Sequence, residues 1–164
     1  MITMIESNQL FCTFRSADHW FGVPVGDVKE VTTQTTCTRI PHAPREVAGY
    51  VNIRGHIFMA LDPRSLLGLE AKEAAEKRLI LFKPGVGPSF GLLVDEIGDI
   101  VAVDANQIEH FGAGAHELSS AASVDRADLI TRVCKLSAGL LVILEPRKFV
   151  RLVEQSITAS VSTM

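Results

Sequence analysis

The stretch Gly49-Tyr50-Val51-Asn52-Ile53-Arg54-Gly55-His56-Ile57 predicts two β-strands joined by a tight turn. Gly55 permits a backbone conformation that residues with a side chain disfavour, and this fixes how Arg54 projects from the end of a strand. A guanidinium is a planar fork of donors that suits a carboxylate. Two interpretations of Arg54 therefore stay open, namely a salt bridge inside the domain and a contact with a partner protein.

The residues around this hairpin occur twice along the chain. Two blocks recur 69 positions later and a third recurs 83 positions later, always in the same order. Such self-similarity predicts two structurally similar halves. The matched blocks are 21–25 with 90–94, 28–31 with 97–100, and 57–64 with 140–147.

The two spacings differ, which predicts one longer loop in the second copy, within 104–128. That stretch is rich in Gly, Ala, Ser and Asp, as a surface loop would be. The duplicated copies span approximately 8–69 and 77–152, inside a single domain that covers 1–164. The last residues, 155–164, are dominated by Ser and Thr, and we expect them to form a flexible tail.

Short apolar or alternating runs bounded by turn residues predict a mostly-β fold. Helices are few: Asp62 and Pro63 begin a short one that ends at Gly68. Pro146 opens a C-terminal helix whose apolar stripe reaches Ile157. The predicted strands are 9–15, 19–25, 28–33, 48–53, 56–62, 78–83, 89–95, 98–103, 130–136 and 139–145.

Composition excludes several classes of protein. The net charge of -3 and pI near 5.9 provide no basic field for nucleic acid. We find no secretory signal and no apolar run of about 20 residues, so we expect a cytoplasmic protein. The odd, widely spaced cysteines Cys12, Cys37 and Cys134 predict buried, inert thiols.

The motifs of catalysis and metal binding are missing from the sequence. There is no Gly-x-Ser-x-Gly elbow and no P-loop, and the glycine-rich stretch 85–91 predicts a hairpin turn. The five histidines match no zinc pattern. The acidic group Asp95, Glu96 and Asp99 lacks calcium-loop spacing and predicts a solvated turn or an acidic docking face. We therefore assign no catalytic, cofactor-binding or metal-binding residue.

Two other functions remain alternatives. One is a small β-barrel hydrolase that acts through His56 or His110 together with Asp62 or Asp95. The other is a self-assembling structural protein.

Several short motifs in a fixed order carry a family resemblance. On the basis of these motifs, the chain resembles the CheW-type chemotaxis coupling proteins over residues 8–154. The resemblance implies two five-stranded SH3-like β-barrels that share an apolar core. It also implies a non-enzymatic scaffold without a cofactor. The motifs are Val51-Asn52-Ile53-Arg54-Gly55, Leu61-Asp62, Leu66-Leu67, Phe21-Gly22-Val23, Val28-Lys29-Glu30-Val31, Gly91-Leu92-Leu93-Val94-Asp95 and the run 140–144.

The resemblance implies partners and docking residues as well. Proteins of this family couple the cytoplasmic tips of methyl-accepting chemoreceptors to the regulatory domain of a CheA-type histidine kinase, in arrays at the membrane. A regulatory module that has lost its kinase domains is a variant of the same interpretation. For the apolar residues Val28, Ile97 and Ile100, the alternative is that their side chains belong to the core and contact no partner. The implied receptor-binding residues are Val28, Glu30, Val31 and Arg54, and the implied kinase-binding residues are Gly91, Ile97 and Ile100.

The chain departs from the family pattern at two positions. Met59 stands where many members have proline, and Arg132 stands where a glycine is often found. These departures suggest a divergent member that serves motility, surface sensing or development.

Overall fold

The structure, a computed structural model, describes residues 8–70, 76–110 and 129–162. Within these ranges the chain forms eleven strands, two α-helices and two single-turn 3-10 helices. The mostly-β prediction is confirmed. The elements are β1 Gln9–Ser16, β2 His19–Pro24, β3 Val28–Thr32, β4 Val47–Ile53, β5 His56–Leu61, α1 Pro63–Leu67, β6 Arg78–Phe82, β7 Phe90–Val94, β8 Glu96–Val103, β9 Ile108–His110, β10 Ile130–Leu136, β11 Gly139–Leu144 and α2 Pro146–Ser162.

The strands form two sheets, and each sheet draws on both copies of the duplication. The six-stranded sheet has the order β8-β1-β2-β11-β10-β9, and the five-stranded sheet has the order β3-β6-β7-β5-β4. The β1–β2 hairpin of the first copy thus pairs with strands of the second copy. The equivalent β6–β7 hairpin pairs with strands of the first. Parallel pairings of β2 with β11 and of β5 with β7 join the copies.

One strand lies inside the predicted surface loop. Strand β9 occupies Ile108–His110 and pairs with β10, which gives that sheet six strands where five were expected. Its counterpart in the first copy is a single bridge between Thr38 and Tyr50. The rest of the predicted loop, 111–128, lies outside the described residues.

A shared apolar core lies between the two sheets. Phe82 and Phe90 stack with ring centroids 4.9 Å apart, and Phe14 stacks on Phe21 at 5.7 Å. Complete burial of a phenylalanine contributes about 1.5–3 kcal/mol, so these four rings are a substantial part of the stabilising core. Helix α2 covers the core with Phe149, Val150 and Val153.

Both helices follow from local sequence. Asp62 caps α1, because its Oδ1 accepts from the backbone N–H of Arg64 at 2.9 Å, and Gly68 ends the helix at φ +71°. Helix α2 continues to Ser162, where the sequence predicted a flexible tail over 155–164. No glycine or proline follows Pro146 to end it, and serine and threonine lower helix propensity only slightly. Ile157, predicted on the apolar stripe, is 41% exposed.

Among the described residues the three cysteines are free thiols, two of them buried and one half-buried. Cys12 and Cys134 are buried as predicted, and burial raises the pKa of both thiols above the ordinary value of 9.0. Cys37 differs from the prediction because it is only half-buried. Its thiol pKa is also raised by desolvation, against an opposing effect of Lys77.

Among the described residues, no helix has the length and apolar character that crossing a membrane requires.

Candidate protein-docking surfaces

The β4–β5 turn presents Arg54 in a fixed direction. Arg54 has φ +51° and Gly55 has φ +87°, and positive φ at both residues of a two-residue loop is the type I′ pattern of β-hairpins. Oδ1 of Asn52 accepts from the backbone N–H of Gly55 at 2.8 Å, which fastens the turn. A left-handed conformation costs a non-glycine residue about 1–2 kcal/mol, so the fold holds Arg54 in a position that a flexible loop would not choose.

Two of the implied receptor-binding residues meet across the five-stranded sheet. Nη2 of Arg54 donates to Oε2 of Glu30 at 2.5 Å. Glu30 lies on β3 and Arg54 follows β4, and these strands are the two opposite edges of the sheet. The sheet therefore curls until its edges approach, as a barrel requires. The Lys29 ammonium, 5.6 Å from the Phe58 ring centroid, crosses the same gap. We call this junction of β3 with the β4–β5 hairpin the closed seam.

The ion pair at the closed seam leaves its charges accessible. The Arg54 side chain is 70% exposed and that of Glu30 is 27% exposed. An ion pair this exposed adds only about 0–1 kcal/mol to stability, because water screens it. The internal salt bridge expected as one interpretation of Arg54 exists, and it leaves most of the guanidinium free to contact another protein.

The two valines implied in the same surface differ in exposure. Val28 is half-buried and packs against the shared core, whereas Val31 is 41% exposed. Ile57, just after the hairpin turn, is 54% exposed and was not predicted as a surface residue. Val31 and Ile57 are thus exposed apolar residues on the strands β3 and β5 that meet at the closed seam.

The three residues implied in kinase binding lie in different environments. Gly91 is buried in β7, and a Cβ built on it would lie 2.6 Å from the backbone oxygen of Ile80. This geometry gives Gly91 a packing role between β6 and β7, and its contact with a partner stays a prediction. Ile97 pairs with Phe14 and packs against the core. Ile100 is 62% exposed on β8, the edge strand of the six-stranded sheet.

An apolar groove, which the sequence did not predict, opens on the six-stranded sheet beside β8. Its volume is about 280 Å³. Trp20 lies over Gly98, because a Cβ there would come within 2.6 Å of the ring. Both Trp20, 40% exposed, and Leu140, 58% exposed, line it. We call it the open groove, and its lining residues are Thr13, Trp20, Asp99, Val101, Leu136, Ala138, Gly139, Leu140 and Leu141.

His56 and Asp62, one pair of the hydrolase alternative, are not assembled. His56 begins β5, whereas Asp62 follows its last residue, so a whole strand of about 3.3 Å per residue separates them. Asp62 is moreover held by the Arg64 guanidinium at 2.9 Å. Oδ2 of Asp95 accepts from the backbone N–H of Ala17 at 3.0 Å. Within the described part of the chain, no group of three His, Cys, Asp or Glu side chains could hold a metal ion.

Comparison with known proteins yields one consistent family. A family model described as the CheW-like domain matches residues 10–154. The chain is 34% identical over 96 residues to "Chemotaxis protein CheW" of Rhizobium meliloti, covering 58% of this chain and 62% of that protein. It is 31% identical over 84 residues to "Protein PilI" of Pseudomonas aeruginosa, covering 51% and 47%. The chain thus spans about three fifths or less of the length of these two relatives.

A solved structure supports the same fold. The scaffolding protein TtCheW from Thermoanaerobacter tengcongensis superposes with a TM-score of 0.70 at 22% identity, covering 84% of this chain and 88% of that one.

Proposed function

Because the chain belongs to the family of CheW-like domains, we propose that it is a non-catalytic adaptor that couples chemoreceptor tips to a CheA-type histidine kinase. The names of its relatives support a role in chemotaxis, and the solved structure of similar fold is that of a scaffolding protein. The observation that carries the proposal is the accessible Glu30–Arg54 pair, held by a strained turn. We place the adaptor in the cytoplasm, at receptor arrays, where receptor tips and kinase meet.

The receptor tip docks on the closed seam. Arg54 and Glu30 provide fixed charges of both signs, and Val31, the next residue of the same edge strand, adds exposed apolar area. An apolar patch with a charged rim is the usual anatomy of a protein interface. Val28 acts from below this surface, since it packs against the core and supports β3.

The kinase regulatory domain docks on the edge strand β8. Ile100 is its exposed anchor, and Ile97 holds the strand against the core. Gly91 contributes through the packing of β7 against β6 in the neighbouring sheet. Exposed strand edges offer unpaired backbone groups as well as side chains, which suits a partner of the same β-rich fold.

The adaptor binds the receptor or the kinase only weakly when one partner is present, and the assembled array stabilises both contacts. One adaptor that holds two partners converts the second binding into a local event, which raises the effective affinity without new contacts. We therefore expect weak binary binding and strong binding in the ternary assembly.

The experiment is a pull-down from native lysate with the tagged chain and three variants. Arg54→Ala and Glu30→Lys should lose receptor capture. Glu30→Lys should act through charge, so its effect should shrink as salt rises. Lys135→Ala is the matched control, because Lys135 is as exposed as Arg54 and forms an ion pair with Glu109 at 2.8 Å on another surface. Recovery of neither a receptor nor a kinase with the unmodified chain would refute the proposal. Partner-free rings or filaments would favour self-assembly instead.

A further inference from the structure

The duplication allows the closed seam to be compared with its counterpart in the six-stranded sheet. By the two sequence spacings, Glu30 corresponds to Asp99, Phe58 to Leu141 and Arg54 to Ser137. Asp99 lies on the edge strand β8, as Glu30 lies on the edge strand β3. The second seam therefore keeps a carboxylate and an apolar residue but has serine where the first has its arginine.

The equivalent seam of the six-stranded sheet is open, whereas the Glu30–Arg54 ion pair bridges the closed seam. The open groove lies there, with Asp99 on one side and the β10–β11 hairpin, through Ala138 to Leu141, on the other. Within 8–70, 76–110 and 129–162, no cation pairs with the Asp99 carboxylate, which is solvent-exposed. Asp99 is also the one charged residue among the nine that line the groove.

The chemistry of the lining matches one kind of side chain. A carboxylate accepts the planar fork of a guanidinium, and an indole ring attracts a cation over its face. Asp99 provides the carboxylate. Trp20, which lies over the adjacent Gly98, provides the indole ring. Val101 and Leu140 make the rest of the lining apolar. At about 280 Å³, the groove suits one or two side chains rather than a whole small-molecule ligand.

We propose that the open groove binds a segment of a partner protein that presents an arginine between apolar residues. The guanidinium of the partner pairs with Asp99 beside Trp20, and so takes the place that Arg54 takes at Glu30 in the closed seam. The flanking apolar side chains rest on Val101 and Leu140. This inference goes beyond the docking surfaces proposed above. The open groove shares β8 with the proposed kinase surface, but its lining includes neither Ile100 nor any residue of the closed seam.

The single tryptophan of the chain makes the site directly observable, since Trp20 is the only indole that can report. The probe is the peptide acetyl-Leu-Arg-Leu-amide, titrated into the purified chain. We expect a saturable change in tryptophan fluorescence that weakens with salt. The citrulline analogue, which replaces the guanidinium with an uncharged urea, should bind at least tenfold more weakly.

Two variants and one control locate the binding. Asp99→Asn should weaken the arginine peptide about tenfold, and Glu109→Gln, an exposed carboxylate on β9, should leave it unchanged. Ser137→Arg places a cation at the position equivalent to Arg54, and should weaken the peptide by occupying Asp99 or by repulsion. Circular dichroism verifies that each variant is folded, and Ser137→Arg tests the site even where Asp99→Asn does not fold.

Several results would overturn the inference. These are the absence of a saturable change up to about 10 mM peptide, equal binding of the citrulline analogue, or equal binding by Asp99→Asn. Self-association of the chain that Asp99→Asn abolishes, seen by sedimentation, would make the occupant a second copy and refute the partner segment. The titration contains neither receptor nor kinase, so its failure is separate from a failure of the adaptor proposal.

Discussion

Replacement of Gly91 by alanine separates two roles for this glycine, packing between strands and contact with a kinase. The Cβ of an alanine would lie 2.6 Å from the Ile80 carbonyl oxygen, a distance that real Cβ atoms do not occupy. It would also lie 3.1 Å from side-chain carbons of Leu79 and Leu81. The nearest obstacle is backbone of β6, so β6 and β7 must separate or shift rather than let one side chain rotate.

The expected cost follows from overpacking. Adding a methyl group to a tightly packed interior costs about 1–3 kcal/mol. In a chain of 164 residues each kcal/mol moves the melting temperature by about 2–4 °C, so Gly91→Ala should melt about 2–12 °C lower. Urea unfolding should show a lower midpoint with an unchanged slope.

Gly26→Ala is the matched control. A Cβ at Gly26 meets nothing within 4 Å and its φ is not positive, so the alanine should be neutral or stabilising by about 0.4–1 kcal/mol. The packing argument fails if Gly91→Ala retains full stability. It fails more sharply if full stability is accompanied by lost kinase binding, since Gly91 would then be a contact after all.

Three further predictions concern stability and the thiols. Ala17→Gly should raise the melting temperature by a few degrees, because Ala17 holds φ +50° in the β1–β2 turn; a lower melting temperature would contradict this. Asp62→Ala should cost about 0.5–2 kcal/mol in urea unfolding, because α1 loses its N-cap and Arg64 loses its ion pair with Asp62; an unchanged urea midpoint would refute it. The unfolding free energy should fall as pH rises through about 9, because burial raises the folded-state pKa of Cys12 and Cys134 while the unfolded thiols ionise at their ordinary value; the double Cys→Ala variant should lose that part of the slope.

The strands were predictable where a run was long enough to show a pattern. All ten predicted strands occur, with ends shifted by a residue or two. Strand β9 was missed because three residues, Ile108–His110, carry no measurable periodicity. The duplication predicted two similar halves, but it could not predict that β1–β2 and β6–β7 each pair with strands of the other copy. Strand partners distant in sequence leave no local signal.

The exposure of the expected docking residues was not predictable from the sequence. Alternation along a strand tells which residues share a face, but it does not tell which face is exposed to solvent. In the structure, equivalent positions of the two sequence copies have the same pattern of burial. Val28 and Ile97, 69 positions apart, both pack against the core, whereas Val31 and Ile100, also 69 apart, are both exposed. The open groove escaped prediction because Trp20 and Leu140 meet only in the folded sheet.

Kinase recruitment to receptor-containing membranes tests the adaptor account most directly. Membranes that contain the receptor are sedimented with the CheA-type kinase, with and without the purified chain. The account predicts that the kinase pellets only when the chain is present. It also predicts that Arg54→Ala abolishes this recruitment while Lys135→Ala preserves it. Kinase that pellets equally without the chain, or that stays in the supernatant whenever the unmodified chain is present, would contradict it.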